Sequence, residues 1–394
     1  MTWLRVTILI GAGAAVAMLV GKVPAALPDL QAELGLSLVQ SGWVIAIFNL
    51  VAAATAVFLG TVSDQFGRLR VAISGMVLAA FSGIAGGFAD SGTALLATRV
   101  FEGLGFLLTT TSMPGLILHA VSERHMKTSF ALWGMYMPVG SGFMLALSGL
   151  ILAHFDWRVL WWLTSVLILV AAFPVYRVGR GLGEGARRPG AKPRLRQSLR
   201  QALGRGPILL STVFAFYAGQ YLIVAGFLPL ILIELNGFTA SGAAAVGAFA
   251  VFCNAAGNIL SGWLHDRGVR STTLILAGCA AMVIGGSIVL LEGISGLLRT
   301  AAAGGLFIFT GLIPSSLFAL IPDHAPDRSV IATVSGIVMQ GAAIGQLVGP
   351  PIGAAIVAWS GAWHGAIPVV LVCAAICTSC ALLLRRTGPR GQTG

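Results

Sequence analysis

The sequence predicts an all-α polytopic membrane protein with twelve transmembrane helices and both termini in the cytoplasm. Three observations predict this fold class: an apolar composition, twelve apolar segments of membrane-spanning length, and a one-sided distribution of Lys and Arg. Of the 394 residues, 57% are hydrophobic and 9% are charged, whereas soluble domains contain about 25% charged residues. The composition therefore excludes a soluble enzyme, a disordered chain and a disulfide-stapled secreted domain.

Twelve apolar segments are long enough to cross a bilayer. A span requires about 20 residues, because the hydrocarbon core is about 30 Å thick and a helix rises about 1.5 Å per residue. Helices satisfy their own backbone hydrogen bonds in lipid. We predict the spans at residues 4–27, 39–60, 71–89, 93–118, 127–153, 158–177, 208–234, 241–261, 272–291, 299–321, 330–358 and 364–384.

The positions of Lys and Arg orient these spans. With both termini inside, 20 of the 24 basic residues fall in cytoplasmic segments. Two fall on the outer side, Arg158 and Arg299, each at the first position of its predicted span, and two fall deeper within spans, Lys22 and Arg99. Since cytoplasmic loops of membrane proteins are enriched in Lys and Arg, this distribution predicts that both termini are cytoplasmic. We expect a multi-pass protein of a prokaryotic inner membrane. The net charge of +11 is spread between the spans instead of forming one patch, so we expect no nucleic-acid partner.

The chain divides into two halves joined by a basic linker. Residues 178–206 are rich in Gly, Pro and Arg and cannot form an apolar span. We predict an N-terminal half at 1–177, a cytoplasmic inter-half loop at 178–206 and a C-terminal half at 207–394. The charge of the loop is typical of a solvated cytoplasmic segment, with binding to anionic lipid or nucleic acid as the alternative.

A repeated loop motif supports the two halves. The pattern Gly-x-x-x-Asp follows the second and the eighth span, and the two copies are 202 positions apart. Glycine permits positive φ in tight turns, and the arginines can pair with the acids or with nearby helix ends. We interpret these loops as a latch for one conformation, and the alternative is that they are only tight, basic turns. The latch residues are Gly60, Asp64, Gly67, Arg68, Asp266, Arg267 and Arg270.

These motifs resemble the major facilitator superfamily of secondary transporters over essentially the whole chain. The segment Arg99-x-x-x-Gly103-x-Gly105 resembles motif B of the family, with Glu102 where Gln is common. Gln65 replaces the usual Arg of the first loop, and residues 216–229 resemble the cyanate-transporter-like branch. The resemblance implies two six-helix bundles that rock about a central site, each with nested three-plus-three inverted repeats.

Glycine and proline in two spans resemble the Gly-Pro motif of the same family. Glycine lets helices approach closely, and proline removes a backbone donor and favours bending. We predict a hinge role, with ordinary helix packing as the alternative. The hinge residues are Pro138 in span 5 and Gly345, Gly349 and Pro350 in span 11.

Three charged residues lie inside the predicted spans and away from the span ends: Lys22, Arg99 and Glu102. A charge in the membrane costs several kcal/mol and is usually retained for function. Arg99 and Glu102 are three residues apart and can pair on one helix face. We predict that Glu102 carries a proton, and the alternative is a permanent ion pair. Lys22 then adds a positive charge that complements an anionic substrate, unless its side chain snorkels to the outer interface.

Neutral polar residues within the spans add candidate substrate contacts. Their spacing places those of each helix on one face, and the alternative is hydrogen bonding between helices. The candidates are Tyr217, Gln220 and Tyr221 in span 7, Asn254 and Asn258 in span 8, and Gln340 in span 11.

Motifs of nucleotide binding and hydrolysis are missing from the sequence, so we expect neither an enzyme nor a cofactor. Cys373, Cys377 and Cys380 form a stripe on span 12, but no His completes it and we predict no metal. We predict a monomeric alternating-access transporter whose partners are a small molecule, a proton or other coupling ion, and the bilayer. The preferred function is proton-coupled transport of a small anionic or polar metabolite. The alternatives are efflux of lipophilic compounds by proton antiport and a nontransporting receptor or scaffold.

Overall fold

A computed structural model describes residues 2–55, 66–180, 182, 203–325 and 331–387, and within these ranges the chain is helical and contains no strand. The first half begins with α1 (Thr2–Leu34) and α2 (Leu38–Ala46), and α2 passes through a 3₁₀ turn (Ile47–Asn49) before residues 50–55 return to α-helix. The next helices are α3 (Arg68–Gly86), α4 (Gly92–Ala120), α5 (Glu123–Trp133), α6 (Tyr136–Ile151) and α7 (Trp157–Arg180). The remaining helices are α8 (Arg205–Asn236), α9 (Ala240–Asp266), α10 (Ser271–Leu290), α11 (Gly296–His324), α12 (Ile331–Ser360) and α13 (Ile367–Thr387), with a 3₁₀ turn (Trp363–Ala366) before α13.

The structure confirms an all-α polytopic membrane protein. In the described part of the chain, 11 helices are long and apolar enough to cross a membrane. Each of them overlaps one predicted span, and the helices extend beyond the predicted bounds at most ends. The first helix, for example, continues to Leu34 through Pro24 and Pro28, because Leu27 and Leu30 are fully buried and their packing holds that turn. The number of twelve spans and the location of the termini stay predictions.

The predicted fifth span, 127–153, is wrong as one helix. It forms α5 and the shorter apolar helix α6, separated by a turn at Gly134 and Met135. Pro138 lies in the first turn of α6 and has no N–H to donate to the carbonyl of Gly134, so a continuous helix loses a hydrogen bond at this point. The interruption therefore follows from the proline that we assigned to a hinge.

The described contacts separate two compact units. The first comprises Met1–Pro189 with Leu228–Phe249, and the second comprises Gly190–Phe227 with Ala250–Gly394. The core of the first unit consists of aliphatic residues of α1, α3, α4 and α7, including Leu9, Leu19, Met76, Ile117 and Ile168. The core of the second consists of residues of α8 and α10–α13, including Leu210, Ile275, Met282, Leu317 and Cys377.

Glycines place α4 close to its neighbours in the first unit. A Cβ on Gly103 would overlap the carbonyl of Phe48, and a Cβ on Gly105 would overlap the backbone of Gly75 and Ala79. Small residues allow the backbones of membrane helices to meet in this way. The turn of α4 that carries Arg99 and Glu102 is consequently held inside the unit instead of facing lipid.

Candidate transport site

Lys22, Arg99 and Glu102 meet in the interior of the first unit. The Nζ of Lys22 donates to Oε1 of Glu102 at 2.7 Å, and Nη1 of Arg99 donates to Oε2 of the same carboxylate. The exposed fractions of the three side chains are 0%, 1% and 0%. One carboxylate therefore joins a cation of α1 to a cation of α4, and we refer to these three residues as the ion triad.

Backbone carbonyls and aromatic rings around the ion triad make further contacts with its two cations. Arg99 donates through Nε to the carbonyl of Val44 at 3.3 Å and through Nη1 to the carbonyl of Leu19 at 3.0 Å. Its guanidinium lies 4.7 Å from the centre of the Phe48 ring, and the Lys22 ammonium lies 4.3 Å from that of Trp161. A buried ion pair is tolerated when such additional hydrogen bonds compensate for lost hydration, and aromatic faces attract cations.

Glycine on α3 leaves space for the shared carboxylate. A Cβ on Gly83 would lie 3.1 Å from Oε1 of Glu102 and would overlap the hydroxyl of Ser165 on α7. Elements of α1, α2, α3, α4 and α7 therefore surround the ion triad. Its charge is +1 when Glu102 is ionised, and protonation of Glu102 would raise it to +2.

The sequence-predicted ion pair between Arg99 and Glu102 is present in the structure. Lys22 does not extend to an outer interface in this conformation, because its ammonium is buried against Glu102. The contact between Lys22 and Glu102 was not predicted, since 80 residues separate the two positions. Whether the triad binds substrate or moves a proton stays a prediction.

A second polar group, in the other unit, joins Tyr217, Asn254, Asn258 and Ser315, and we name it the tyrosine–asparagine cluster. Nδ2 of Asn254 donates to the Tyr217 hydroxyl at 3.4 Å, and Nδ2 of Asn258 donates to the carbonyl of Asn254 at 3.0 Å. The Ser315 hydroxyl donates to Oδ1 of Asn258 at 2.9 Å. These hydrogen bonds connect α8, α9 and α11, as expected of the interhelical alternative.

The remaining polar candidates lie in different surroundings. The ring of Tyr221 lies 5.9 Å from Tyr217 and 5.2 Å from Phe307. Gln220 faces elsewhere: a Cβ on Gly286 of α10 would lie 3.1 Å from its Nε2. Both polar atoms of the Gln220 amide are buried without a hydrogen-bond partner among the residues that the structure describes. Gln340 is half-buried on α12.

Of the predicted latch, Gly60 and Asp64 lie outside the described residues. Gly67 precedes α3 with φ +91°, and Arg68 donates to the carbonyl of Gly115 at 3.3 Å and contacts Nδ1 of His119 at 3.4 Å. Arg68 thus contacts the last turn of α4, which is one of the two kinds of partner that we expected.

The second copy of the loop contains another left-handed glycine. Gly268 has φ +82° and follows Asp266, the last residue of α9. The Arg267 guanidinium lies 3.6 Å from the centre of the Trp263 ring. Arg270 is the residue that precedes α10 as its N-cap. The geometry is that of a tight turn, and a latch function stays a prediction.

The predicted hinge glycines lie where α12 contacts α8. A Cβ on Gly345 would overlap the carbonyl of Ala215, and a Cβ on Gly349 would lie 2.6 Å from the carbonyl oxygen of Gly219. The helix α12 continues without interruption through Pro350. The packing alternative therefore has direct structural support, while bending of α12 is not tested.

Two features were not predicted from the sequence. Arg299, which we assigned to the outer side, lies inside α11, is fully buried and donates to the carbonyls of Val289 and Leu291 at the end of α10. It follows Arg99 by 200 positions, close to the 202-residue repeat, so a comparison of the two halves at this point could have found it. Glu33 accepts from Trp157 Nε1 at 2.7 Å and pairs with Arg158 at 2.5 Å, which joins the ends of α1 and α7.

An all-helical membrane protein with charged groups buried inside its spans is typical of transporters and pumps. The chain belongs to the Major Facilitator Superfamily, whose family model matches residues 8–339. This membership confirms the resemblance found in the sequence. Members of the superfamily, including the two relatives described next, are transporters, so transport is the general activity of this multi-pass membrane protein.

Two relatives match most of the chain. The 3-(3-hydroxy-phenyl)propionate transporter of Escherichia coli strain K12 is 28% identical over 289 residues, which are 72% of this chain and 69% of that protein. The probable 4-methylmuconolactone transporter of Cupriavidus pinatubonensis is 28% identical over 312 residues, which are 74% of this chain and 71% of that protein.

A third relative and a solved structure complete the comparison. The methyl viologen resistance protein SmvA of Salmonella typhimurium is 26% identical over 169 residues, 43% of this chain and 34% of that protein. The crystal structure of the nucleoside transporter NupG matches with a TM-score of 0.77 over 97% of this chain and 99% of that chain, at 10% identity. At this identity the structural match supports the fold alone.

Proposed function

We propose that this protein couples the movement of one proton to the transport of a small organic acid. The ion triad carries this proposal, because it combines a buried carboxylate with two cations inside candidate membrane spans. When a carboxylate in such a place binds a proton, a buried negative charge is lost, and when it releases the proton, that charge returns. Lys22 and Arg99 are the cations that respond to that change.

Compensation of buried charge favours symport of a proton with a monoanion. The triad has a charge of +1 while Glu102 is ionised and +2 once it is protonated. A bound monoanion returns the total to +1. Since a buried charge without compensation is costly, binding both species together is more favourable than binding either alone. One proton per monoanion is therefore the expected stoichiometry.

The two cations have different roles in this proposal. Arg99 also donates to the carbonyls of Val44 and Leu19, and these bonds hold it in place when Glu102 is protonated. Lys22 donates its hydrogen bond to Glu102. Protonation of Glu102 weakens this contact and makes the Lys22 ammonium available to the substrate. We therefore assign Lys22 to substrate binding, Glu102 to proton transfer and Arg99 to positioning of the carboxylate.

The relatives indicate the chemical class of the substrate. The first named relative transports a phenylpropionate, which combines a carboxylate with an aromatic ring. Lys22 complements a carboxylate. Tyr217 and Tyr221, whose rings lie 5.9 Å apart, stay proposed aromatic contacts. Asn254, Asn258, Gln220 and Gln340 stay proposed polar contacts. A monomer in a prokaryotic inner membrane, with cytoplasmic termini, completes the proposal.

A second candidate function is efflux of lipophilic cations. The similarity to a methyl viologen resistance protein favours it, although the match covers a smaller part of both chains than the match to the phenylpropionate transporter. The charge of +1 on the ion triad argues against a cationic ligand near Lys22, since like charges repel.

Thermal unfolding of the detergent-purified protein distinguishes the two candidates. A ligand that binds the folded state raises its stability by RT ln(1 + [L]/Kd). We expect 3-(3-hydroxy-phenyl)propionate to raise the melting temperature and methyl viologen to leave it unchanged. The shift should disappear in Lys22→Met, which leaves Arg99 and Glu102 as a neutral pair, and persist in the control Arg158→Gln. A shift with methyl viologen alone would contradict the proposal and favour efflux.

A further inference from the structure

Four aromatic rings of the first unit form a continuous row that ends at the ion triad. The Phe48 ring lies 4.7 Å from the Arg99 guanidinium and 5.1 Å from the Phe106 ring. The Phe106 ring lies 6.5 Å from that of Tyr136, which stacks on Trp133 at 4.3 Å with an angle of 20° between the ring planes. These separations are typical of stacked and tilted aromatic pairs. We refer to Phe48, Phe106, Tyr136 and Trp133 as the aromatic row.

The interruption between α5 and α6 positions the far end of the aromatic row. Trp133 is the last residue of α5 and Tyr136 is the first residue of α6, and the turn at Gly134 and Met135 between them allows the two rings to stack. Gly13 on α1 leaves room for the Trp133 ring, because a Cβ at this position would lie 2.6 Å from it. The break in the predicted fifth span therefore places two aromatic rings together beside α4.

Phe106 lies on the face of α4 that carries Arg99. The two positions are seven residues apart, which is close to two full turns of a helix. Phe101 is 52% exposed and lies about 140° around the helix from Phe106. Phe106 packs against the core of the unit and is half-buried, as are Tyr136 and Trp133. Three members of the aromatic row therefore keep accessible surface close to the ion triad.

An aromatic group is the ligand that the aromatic row complements. Ring faces and edges attract another ring beyond the effect of the apolar area that they bury. The core of the first unit consists mainly of aliphatic residues, so packing of the core does not itself require rings at this place. Ring faces also attract cations, but the near end of the row already contacts the Arg99 guanidinium, and like charges repel.

We infer that the aromatic row binds an aromatic ring of the transported acid, whose carboxylate the proposed function places at Lys22. The inference rests on the proposed function and narrows its substrate class from small organic acids to aromatic acids. Phe106 and Tyr136 are the specificity-determining residues, because they are half-buried and lie between the two ends of the row. Phe48, which is 4% exposed, and Trp133 support these two rings from either side.

The experiment measures the binding of two acids to the detergent-purified protein by isothermal titration calorimetry. The probes are 3-phenylpropionate and 3-cyclohexylpropionate, which carry an aromatic and a saturated ring on the same chain. We expect the wild type to bind the aromatic acid more tightly. Phe106→Leu should weaken binding of 3-phenylpropionate about fivefold and change that of 3-cyclohexylpropionate by less than about twofold. Phe106→Tyr retains the ring and should retain most of the affinity, and the control Phe101→Leu on the same helix should leave both affinities unchanged.

Two results with the α4 variants would overturn the inference. Equal weakening of both acids in Phe106→Leu would show a loss of packing instead of a loss of ring recognition. Equal effects of Phe101→Leu and Phe106→Leu would show that the position of the ring on α4 does not matter. The melting temperature of each variant without ligand establishes that it is folded.

Lys22→Met separates this inference from the proposed function. If Lys22→Met binds neither acid while Phe106→Leu prefers the aromatic acid as strongly as the wild type does, the inference is wrong and the proposed function stands. If Lys22→Met binds both acids while Phe106→Leu loses only the aromatic one, the role of Lys22 is wrong and the ring site stands. Binding of neither acid by the wild type would contradict both.

Discussion

Glu102 is the residue on which the ion triad depends, because its two oxygens bind Lys22 and Arg99 at the same time. Glu102→Gln removes the negative charge and leaves two buried cations. Loss of one partner of a buried ion pair typically costs about 3–5 kcal/mol, so we expect a large decrease in melting temperature.

The matched control is Glu33→Gln, in the same unit. Glu33 pairs with Arg158, and 42% of its side chain is exposed. An exposed pair contributes about 0–1 kcal/mol, so this change should have a small effect. Thermal unfolding of both variants in detergent checks the difference. Equal losses would mean that the ion triad is no more important to folding than a surface pair.

At Gln220 we expect a substitution that raises the melting temperature instead of lowering it. Its amide is buried, and neither polar atom has a partner in the described part of the second unit. Such an unpaired group costs about 1–3 kcal/mol. Gln220→Leu should therefore raise the melting temperature of the ligand-free protein.

The same variant tests the proposed role of Gln220 in binding. If the amide contacts the substrate, stabilisation by 3-(3-hydroxy-phenyl)propionate should be smaller in Gln220→Leu than in the wild type. A lower melting temperature in the absence of ligand would contradict the structural argument, and an unchanged ligand effect would remove Gln220 from the proposed site.

At the level of single residues, the sequence predicted the components of the ion triad but only part of its geometry. The pairing of Arg99 with Glu102 follows from a spacing of three on one helix. The contact of Lys22 with the same carboxylate depends on how α1 packs against α4. Arg299 was missed because its position at the edge of an apolar segment is typical of a loop residue, whereas its burial depends on the end of α10.

Among the elements, hydropathy predicted the helices well because span length is determined by the thickness of the bilayer. The failure at residues 127–153 has a local cause. Hydropathy does not register the hydrogen bond that Pro138 removes, so one apolar segment was predicted where α5 and α6 form. The bounds of other helices differed because amphipathic ends such as Asp29–Leu34 continue the helix beyond the apolar core.

The crossing of α8 and α12 yields a prediction for these elements. A Cβ at Gly345 would overlap the carbonyl of Ala215, whereas a Cβ at Gly305 on α11 meets nothing within 4 Å. Overpacking costs about 1–3 kcal/mol, and alanine favours helix over glycine. Gly345→Ala should lower the melting temperature, and Gly305→Ala should maintain it.

The same pair of variants separates packing from a hinge role. Equal effects on stability would contradict the packing argument at Gly345. A loss of transport in Gly345→Ala without a loss of stability would instead favour the hinge that we predicted from the Gly-Pro motif.

For the whole molecule, the positive-inside distribution predicts that both termini are cytoplasmic. The described residues contain 11 long candidate spans and the shorter apolar helix α6. If α5 and α6 together cross the membrane, the total is twelve and the termini lie on the same side. Green fluorescent protein fused to either terminus should then fluoresce in cells. An active alkaline phosphatase fusion at the C terminus would contradict this topology.

The central claim is that Glu102 couples proton movement to transport of an organic acid. Its most direct test is uptake of 3-(3-hydroxy-phenyl)propionate by proteoliposomes under an inward proton gradient. With one proton per monoanion, each pH unit supports about tenfold accumulation. We expect the wild type and Glu33→Gln to accumulate the acid. Glu102→Gln should lose accumulation while retaining measurable counterflow, and proton-driven accumulation by Glu102→Gln at the wild-type level would contradict the claim.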